Sequence, residues 1–456
     1  MAFGKVLIAN RGEIAVRIIR ACRELGIKTV AVFSEADKEA LHVELADEAI
    51  CIGKARATDS YLNMQQILSA AVVTNSEAIH PGFGFLAENS LFAQMCEDCQ
   101  IKFIGPKGKT IDEMGNKINA RTLMQNAGVP VIPGSKGEVS NLIEAEKIAK
   151  EIGYPLMLKA AAGGGGKGIR KVLTSSELAE QFHSAQQEAL ASFGNGQMYI
   201  EKIIYPAKHI EIQVLADEYG NVIHLGERDC SLQRNNQKVL EEAPSLTLSA
   251  ELRDKMGQAA LKAAYAVNYE NAGTIEFLVD ADQNFYFMEM NTRIQVEHPV
   301  TEMVTGVDIV KWQLQIAAGE KLSLKQSDIE LKGFAIECRI NAEDATRNFA
   351  PAPGRIKNLY LPSGGMGLRV DSGVYSDYLI PPFYDSMIAK VIVHAETRIE
   401  ALRKMQRALG ELVTEGVTTN QEFQLDLITH PDIIAGKYDT SFLGETFLPT
   451  WEPQNE

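Results

Sequence analysis

The stretch Thr274–His298, TIEFLVDADQNFYFMEMNTRIQVEH, constrains this chain more than any other. Two apolar runs, Thr274–Asp280 and Phe285–Met290, flank Ala281–Asn284, which has the composition of a four-residue hairpin loop. That loop pairs Asp280 with Phe285, and therefore Glu276 with Glu289. Side chains alternate faces along a strand, so both carboxylates project from one face, about 5 Å apart at Cβ. Facing like charges destabilise a hairpin unless something positive lies between them. Asn291, Arg293, Gln295 and Glu297 continue the same parity as long as the chain stays extended. A merely solvated face explains scattered Glu and Lys. It explains poorly an ordered stripe of Glu, Asn, Arg, Gln and Glu alternating with Tyr286, Met288, Met290 and Val296. Two carboxylates and an amide oxygen are hard ligands suited to Mg²⁺ or Mn²⁺, which keep waters and bridge substrate phosphates.

With 456 residues the chain is long enough for two or three domains with sizeable cores. A net charge of −15 argues against general nucleic-acid binding, which needs a basic surface. No apolar run of about 18 residues is present, so no membrane-spanning helix is expected. The start, MAFGKVLIAN, lacks the features of a signal peptide, and six cysteines in a chain of this length form no disulfide framework. Both point to the cytoplasm. Cys96 and Cys99 make a lone CxxC with no second pair or neighbouring histidine, which reads as reduced thiols on a helix.

The N-terminal third alternates strands and helices: strand Lys5–Ala9, helix Glu13–Leu25, strand Thr29–Phe33, then short strands at Ala78–Ile79 and Lys102–Ile104. This is the rhythm of an open parallel sheet. The first turn reads NRGEIA, so the GxGxxG of a dinucleotide site is missing. Turn-rich sequence around Gly105–Gly115 marks a boundary. Residues 131–203 form a small unit with a helix at Leu142–Ile152, strands at Pro155–Ala160 and Ile169–Leu173, and a helix opened by the capping box Thr174-x-x-Glu177. A third unit begins near Gly333, with a strand at Phe334–Ile340, a Gly/Pro-rich segment Pro351–Gly367 and a helix near Arg398–Leu412.

Between the two strands of the small unit stand four glycines, Gly163–Gly166, in KAAAGGGGKG. Residues without Cβ let backbone N–H groups approach phosphate oxygens closely. A strand follows rather than a helix, which excludes the Walker A loop. Lys159 and Lys117 add cations, and a glycine-tipped unit over a metal site makes a lid that excludes water. His209, Glu211 and Gln213 share one strand parity, and Gln233 and Lys238 lie in a polar segment nearby.

These residues carry a resemblance. LIANRGEIAVRIIRACRELG, HPGFGFLAEN, KAAAGGGGKG, EKIIYPAKHIEIQ, EMNTRIQVEHPVTE, ECRINAED and PPFYDSMIAKVIVH together span nearly the full length. In them the chain resembles the biotin carboxylases, ATP-grasp enzymes of the biotin-dependent carboxylase family, and most of all the subunit type of bacterial acetyl-CoA carboxylase.

The resemblance implies an α/β and α+β multidomain fold. An N-terminal α/β domain would occupy residues 1–115, an ATP-grasp domain 116–330 with a glycine-loop lid at 131–203, and a C-terminal mixed β/α domain 331–446. It implies an ATP-dependent ligase: ATP phosphorylates bicarbonate to carboxyphosphate, which yields CO₂ to the ureido nitrogen of biotin. Glu276, Glu289 and Asn291 match the family's Mg²⁺ or Mn²⁺ positions. Lys117, Lys159, Gly165, Gly166, Glu201, Lys202, Ile203, Ile204, His209, Gln233 and Asn236 match its ATP positions, with Glu276 and Glu289 reaching the nucleotide through metal. Lys238, Arg293, Gln295 and Val296 match the bicarbonate pocket, and Glu297 the base that deprotonates bicarbonate. Arg339 matches the arginine that stabilises the biotin enolate, and Phe83 and Gly84 lie beside the biotin site.

Three departures stand out: Asn235-Asn236 in place of Arg-His, Phe83 in place of tyrosine, and Lys167 in place of arginine. Urea-carboxylating relatives also tend to carry asparagine at position 236.

Neither a biotinyl-lysine motif nor a carboxyltransferase segment is present. The resemblance therefore implies a separate biotin carboxyl carrier protein, separate carboxyltransferase subunits and a homodimer. Rival readings are the same half-reaction for a pyruvate or propionyl-CoA type carboxylase, another ATP-grasp carboxylate–amine ligase, and a non-catalytic subunit that keeps the fold.

Overall fold

The computed structural model describes residues 3–160 and 168–452. The apolar run at the N-terminus becomes β1 (Lys5–Ile8), followed by β2 (Lys28–Ser34), β3 (Glu48–Gly53), β4 (Ala78–His80) and β5 (Lys102–Phe103). They form a parallel sheet in the order β3-β2-β1-β4-β5. Val6, Leu7 and Ile8 of β1 are fully buried, as a central parallel strand requires. Strand β3, EAICIG, is an additional edge strand whose mostly exposed, non-alternating pattern gives the sequence no strand signature.

The strand order reverses between β1 and β4, so the loops that leave them diverge and open a crevice. Asn10, after β1, bridges it by donating to the carbonyls of Pro81 (2.6 Å) and Phe83 (2.8 Å) after β4. The segment expected to be turn-rich is instead a helix over Gly108–Gly115, with Thr110, Ile111 and Met114 buried.

The small unit has its own three-stranded antiparallel sheet: β6 (Leu156–Ala160) flanked by β7 (Ile169–Val172) and β8 (Met198–Lys202). Its own core holds Val139, Leu158, Phe182 and Ile200. The helix over Leu142–Ile152 falls where its apolar period predicts. The capping box does not close: Thr174 Oγ1 binds the Glu177 carboxylate rather than a helix N–H, and the helix starts only at Leu178. The glycines at 165 and 166 lie outside the described residues.

Strands β9 (Ala207–Ala216), β10 (Val222–Arg234), β11 (Gln237–Ala243), β12 (Asn271–Asp280), β13 (Phe285–Asn291) and β14 (Phe334–Asn341) build the main sheet. Strands Met387–Ala395 and Leu368–Ser372 complete its eight members, next to β14. The unit expected to begin near Gly333 is thus hydrogen-bonded into the central sheet, through β11 and β14. Within its Gly/Pro-rich segment lie the short strands Ala350–Pro351, Gly354–Arg355 and Asn358–Tyr360.

The predicted hairpin forms with a correction. Glu276 does face Glu289, but Val279, not Asp280, pairs with Phe285. A register shift between Glu276 and Phe277 reconciles the two, a β-bulge that uses one extra residue of β13. The ladder of β10 is shifted similarly, between His224 and Glu227 against β9 and beyond Asp229 against β11. Bulges add local twist, and side chains from β9, β11 and β12 meet on one face of the main sheet.

Candidate active site

That face, the crevice beside β1 and β4, and one side of the small unit line a cleft of about 1160 Å³. At its centre is Lys238, on β11. Its ammonium group donates to Glu211 on β9 (2.6 Å), Glu276 on β12 (3.0 Å) and Glu297 (2.5 Å). It neutralises Glu276 but not the facing Glu289, whose ion pair is with Lys117 at 3.7 Å. Burial pushes Lys238 toward the neutral form, but the three carboxylates outweigh it and hold the ammonium well above its ordinary range.

The stripe after Glu289 converges, though not by strand parity. β13 ends at Asn291, and residues 292–297 are turns and irregular chain. Asn291 and Gln295 nevertheless donate to Glu276 Oε1 at 2.8 and 2.7 Å. Arg293 donates to Asn291 Oδ1 (3.0 Å) and, through Nε, to Glu88 (2.9 Å), whose other oxygen accepts from the Thr292 N–H. Glu297, just before the helix His298–Thr305, lies between Lys238 and Arg339, which donates to it at 2.9 Å from β14. Burial raises the Glu297 carboxyl, yet Lys238, Arg339 and Arg228 overcome that and keep it well below the usual carboxylate range. Glu276 is likewise held down: burial opposes ionisation, while Lys238 and His209 favour it.

His209 Nε2 lies 3.0 Å from Glu276, and Gln233 contacts its Nδ1 at 2.7 Å. Lys159 and Glu201 pair across the small unit's sheet, and Lys202, Ile203 and Ile204 line the same wall. Lys117 reaches Glu289 at 3.7 Å. Phe83, Gly84 and Val296 line the far end. The cleft therefore gathers every candidate residue among those described. Cys96 and Cys99 lie elsewhere as free thiols, with Cys96 buried on the helix Ser90–Asp98.

Three models of known families match the chain: Biotin carboxylase, N-terminal domain (residues 2–111), Carbamoyl-phosphate synthase L chain, ATP binding domain (116–325), and Biotin carboxylase C-terminal domain (337–445). Biotin carboxylase 1 of Bacillus subtilis is 60% identical over 97% of this chain and 98% of its own length. The chain belongs to the biotin carboxylase family. It is therefore an ATP-dependent ligase. A pyruvate carboxylase subunit of Methanothermobacter thermautotrophicus is 54% identical, over 97% of this chain and 90% of that protein. Among solved structures, the biotin carboxylase domain dimer of Hydrogenobacter thermophilus 2-oxoglutarate carboxylase, in complex with MgADP, ADP and bicarbonate, superposes with a TM-score of 0.93. It shares 52% identity and covers 98% of both chains. A biotin carboxylase β-γ-ATP complex from Campylobacter jejuni has a TM-score of 0.93 at 50% identity, covering 97% of this chain and 98% of that one.

The chemistry of the donor set fits a hard divalent ion. Glu276, Glu289 and Asn291 offer oxygen only, and Glu289 is 39% exposed with one lysine at 3.7 Å, leaving coordination capacity open. His209, Glu211 and Glu276 also offer atoms within 4.8 Å of one another. Glu211 is committed to Lys238 and Arg228, and Glu276 to Lys238, Asn291, Gln295 and His209, so Glu289 is the carboxylate with open capacity and an ion at Glu276 would displace one of its present partners.

Arg228 is the residue that sequence reasoning missed. It is fully buried on β10 and donates to Glu211, Gln213, Thr301, Thr274 and Gln295. The available signal was a run of three charges, Glu227–Asp229, within a strand-like segment, where a buried charge needs a partner. Glu88 was missed too, being a loop acid with no local pattern.

The Asn235-Asn236 departure has a backbone explanation. Arg234 pairs with Gln237, so these two residues form a two-residue hairpin turn with φ values of 50° and 62°. Asparagine enters that left-handed region more readily than most side chains.

Proposed function

We propose that this chain catalyses the biotin carboxylation half-reaction of acetyl-CoA carboxylase, with ATP, Mg²⁺ (or Mn²⁺) and bicarbonate. The observation that carries the reading is Lys238, whose ammonium joins the carboxylate of the metal end, Glu276, to that of the bicarbonate end, Glu297. In this reading a bicarbonate oxygen attacks the γ-phosphorus of ATP. A P–O bond to bicarbonate forms, the bond to ADP breaks, and the bicarbonate proton passes to Glu297. Carboxyphosphate then splits into CO₂ and phosphate, the phosphate takes the ureido N–H proton of biotin, and the nitrogen bonds to CO₂.

Glu276, Glu289 and Asn291 would hold the divalent ion, which supplies charge neutralisation at the transferring phosphoryl group. Lys117 and Lys159 supply further positive charge, since phosphoryl transfer depends mostly on positioning and electrostatics. His209, Gln233, Asn236, Glu201, Lys202, Ile203 and Ile204 bind the rest of the nucleotide. Arg293, Gln295 and Val296 hold bicarbonate, with Arg293 fixed from behind by Glu88. A bound anion that shares Lys238 and Arg339 draws positive charge off Glu297 and so makes it a stronger base. Arg339, with Phe83 and Gly84 on the same wall, receives biotin. The unit of residues 131–203 covers the cleft, because carboxyphosphate is consumed by water.

Domain limits at 115 and 330, a homodimer, and partnership with a separate biotin carrier protein and carboxyltransferase subunits belong to the same reading. A second reading is the same half-reaction serving a 2-oxo acid. It is favoured by relatives named as subunits of pyruvate carboxylase and 2-oxoglutarate carboxylase, which are 54% and 53% identical to this chain.

The test is bicarbonate-dependent ATP hydrolysis with and without free biotin. Absence of biotin-stimulated turnover at saturating Mg²⁺ would refute the carboxylase reading. Glu297→Gln should abolish bicarbonate-dependent turnover and leave nucleotide binding intact. Reconstitution with acetyl-CoA-specific or 2-oxo-acid-specific carboxyltransferase subunits separates the two acceptors.

A further inference from the structure

Behind Arg339 lie two acids that the reaction as described leaves unused. Glu241 on β11 and Glu337 on β14 are register partners in the antiparallel ladder, and both are fully buried. None of their carboxyl oxygens has a hydrogen-bond partner among the described residues. Glu241 Oε1 nonetheless lies 2.5 Å from Arg339 Nη2, the same nitrogen that donates to Glu297 Oε2 at 2.9 Å. One guanidinium nitrogen thus stands between two carboxylates, Glu297 on the cleft side and Glu241 outside the cleft lining.

A single positive charge does not satisfy both acids equally. Burial pushes the Glu241 carboxyl up to about 7, with Arg339 and Lys238 pulling it down and Glu297 pushing it up. Glu337 is driven well above the carboxylate range by burial, against the pull of Lys390, and keeps its proton. Cys230 and Cys338, which also face Glu241, are neutral buried thiols. Protonation of Glu297 changes this balance in two ways: it frees Arg339 from its cleft-side partner, and it removes a negative charge that opposes ionised Glu241.

We propose that Glu241 is a positioning residue that becomes the counter-ion of Arg339 when Glu297 accepts the bicarbonate proton, keeping the guanidinium in place for carboxyl transfer to biotin. The proposal rests on the reading of Glu297 as the base. In that step the bicarbonate O–H bond breaks and a Glu297 O–H bond forms. Arg339 and Lys238 favour the ionised form of Glu241, and loss of the Glu297 charge favours it further. Without Glu241, Arg339 is left with no ionised protein carboxylate to anchor it from behind, and its long side chain turns toward solvent.

Two measurements test this. Glu297→Gln mimics the protonated base. In its crystal structure Arg339 should remain against Glu241, and in Glu297→Gln/Glu241→Gln it should leave that position. An Arg339 that stays in place in both overturns the proposal. In the full-length enzyme, Glu241→Gln should lower the ratio of biotin-dependent to biotin-independent ATP turnover by roughly 10- to 100-fold, the cost of a misplaced reacting-site group. Glu241→Asp, which keeps the charge, should restore part of it. Equal losses in both activities indicate a structural role and also overturn the proposal. A wild-type enzyme with no biotin-stimulated turnover would remove the proposed function, and the crystallographic comparison would still decide the role of Glu241.

Discussion

Replacing Arg228 by methionine removes a guanidinium that solvent does not reach and that donates five hydrogen bonds from β10. Glu211 then keeps only Lys238, at 2.6 Å, and the oxygens of Gln213, Thr274, Thr301 and Gln295 lose a charged donor. Removing one partner of a buried ion pair costs about 3–5 kcal/mol. For a folding unit of 150–250 residues this corresponds to a fall in melting temperature of roughly 6–20 °C. Arg228→Lys sharpens the argument. An ammonium offers three donors, so at least two of the five bonds go unmade. At ~1–3 kcal/mol for each buried unsatisfied group, the conservative change costs ~2–6 kcal/mol despite keeping the charge. Thermal unfolding followed by circular dichroism, at fixed pH and salt, measures both variants. An Arg228→Lys protein that melts within about 2 °C of wild type would show that charge alone, and not the planar fork, holds this face together.

Further predictions follow from single residues. Burial keeps His42 and His80 neutral, with values lowered to about 4 and about 3 from 6.5. The unfolded chain takes up protons that the folded one refuses, so stability is full above pH 6.5 and is lost as pH falls toward 4. The expected slope is ~1.4 kcal/mol per pH unit for each histidine, and urea titrations of a glutamine replacement at either position should show the slope lowered by that amount. Glu289→Gln leaves the fold intact and should raise the Mg²⁺ concentration for half-maximal ATP turnover roughly tenfold, the equivalent of ~1.4 kcal/mol. Asn236→Ala should cost ~1–2 kcal/mol of stability and Asn236→Gly much less, because φ at this position is 62°; equal melting temperatures would show that the turn is not strained by a Cβ.

Much of the site was legible because it obeys local periodicity. Facing carboxylates at Glu276 and Glu289 follow from a period of two and a short loop, and the helix Leu142–Ile152 from its apolar spacing. The loop end was misplaced by one residue because a bulge at the hairpin carries no compositional mark. Beyond Asn291 the stripe reached the right place for a different reason. The chain leaves the extended state, and Gln295 and Glu297 are drawn in by Glu276, Lys238 and Arg228 rather than by pleating. Glu88 and Glu241 were not legible as site residues, and Arg228 only as a charge in need of a partner, since each depends on contacts between strands or loops far apart in sequence. Edge strand β3 was hidden by its exposure.

The ladder between β11 and β14 has a consequence for cutting the chain. Residue 330 lies in irregular chain just before β14, and Ala243, Glu242, Glu241 and Leu240 are paired with Ala335, Ile336, Glu337 and Cys338 on its far side. A fragment ending there would present β11 as a bare edge, with Leu240 and Val239 stripped of the apolar cluster they share with Ile336 and Val391. Such a truncation should aggregate rather than bind nucleotide. A chimaera that borrows the last third from a relative would have to reproduce this strand register, because the graft joint is a hydrogen-bonded seam and not a linker.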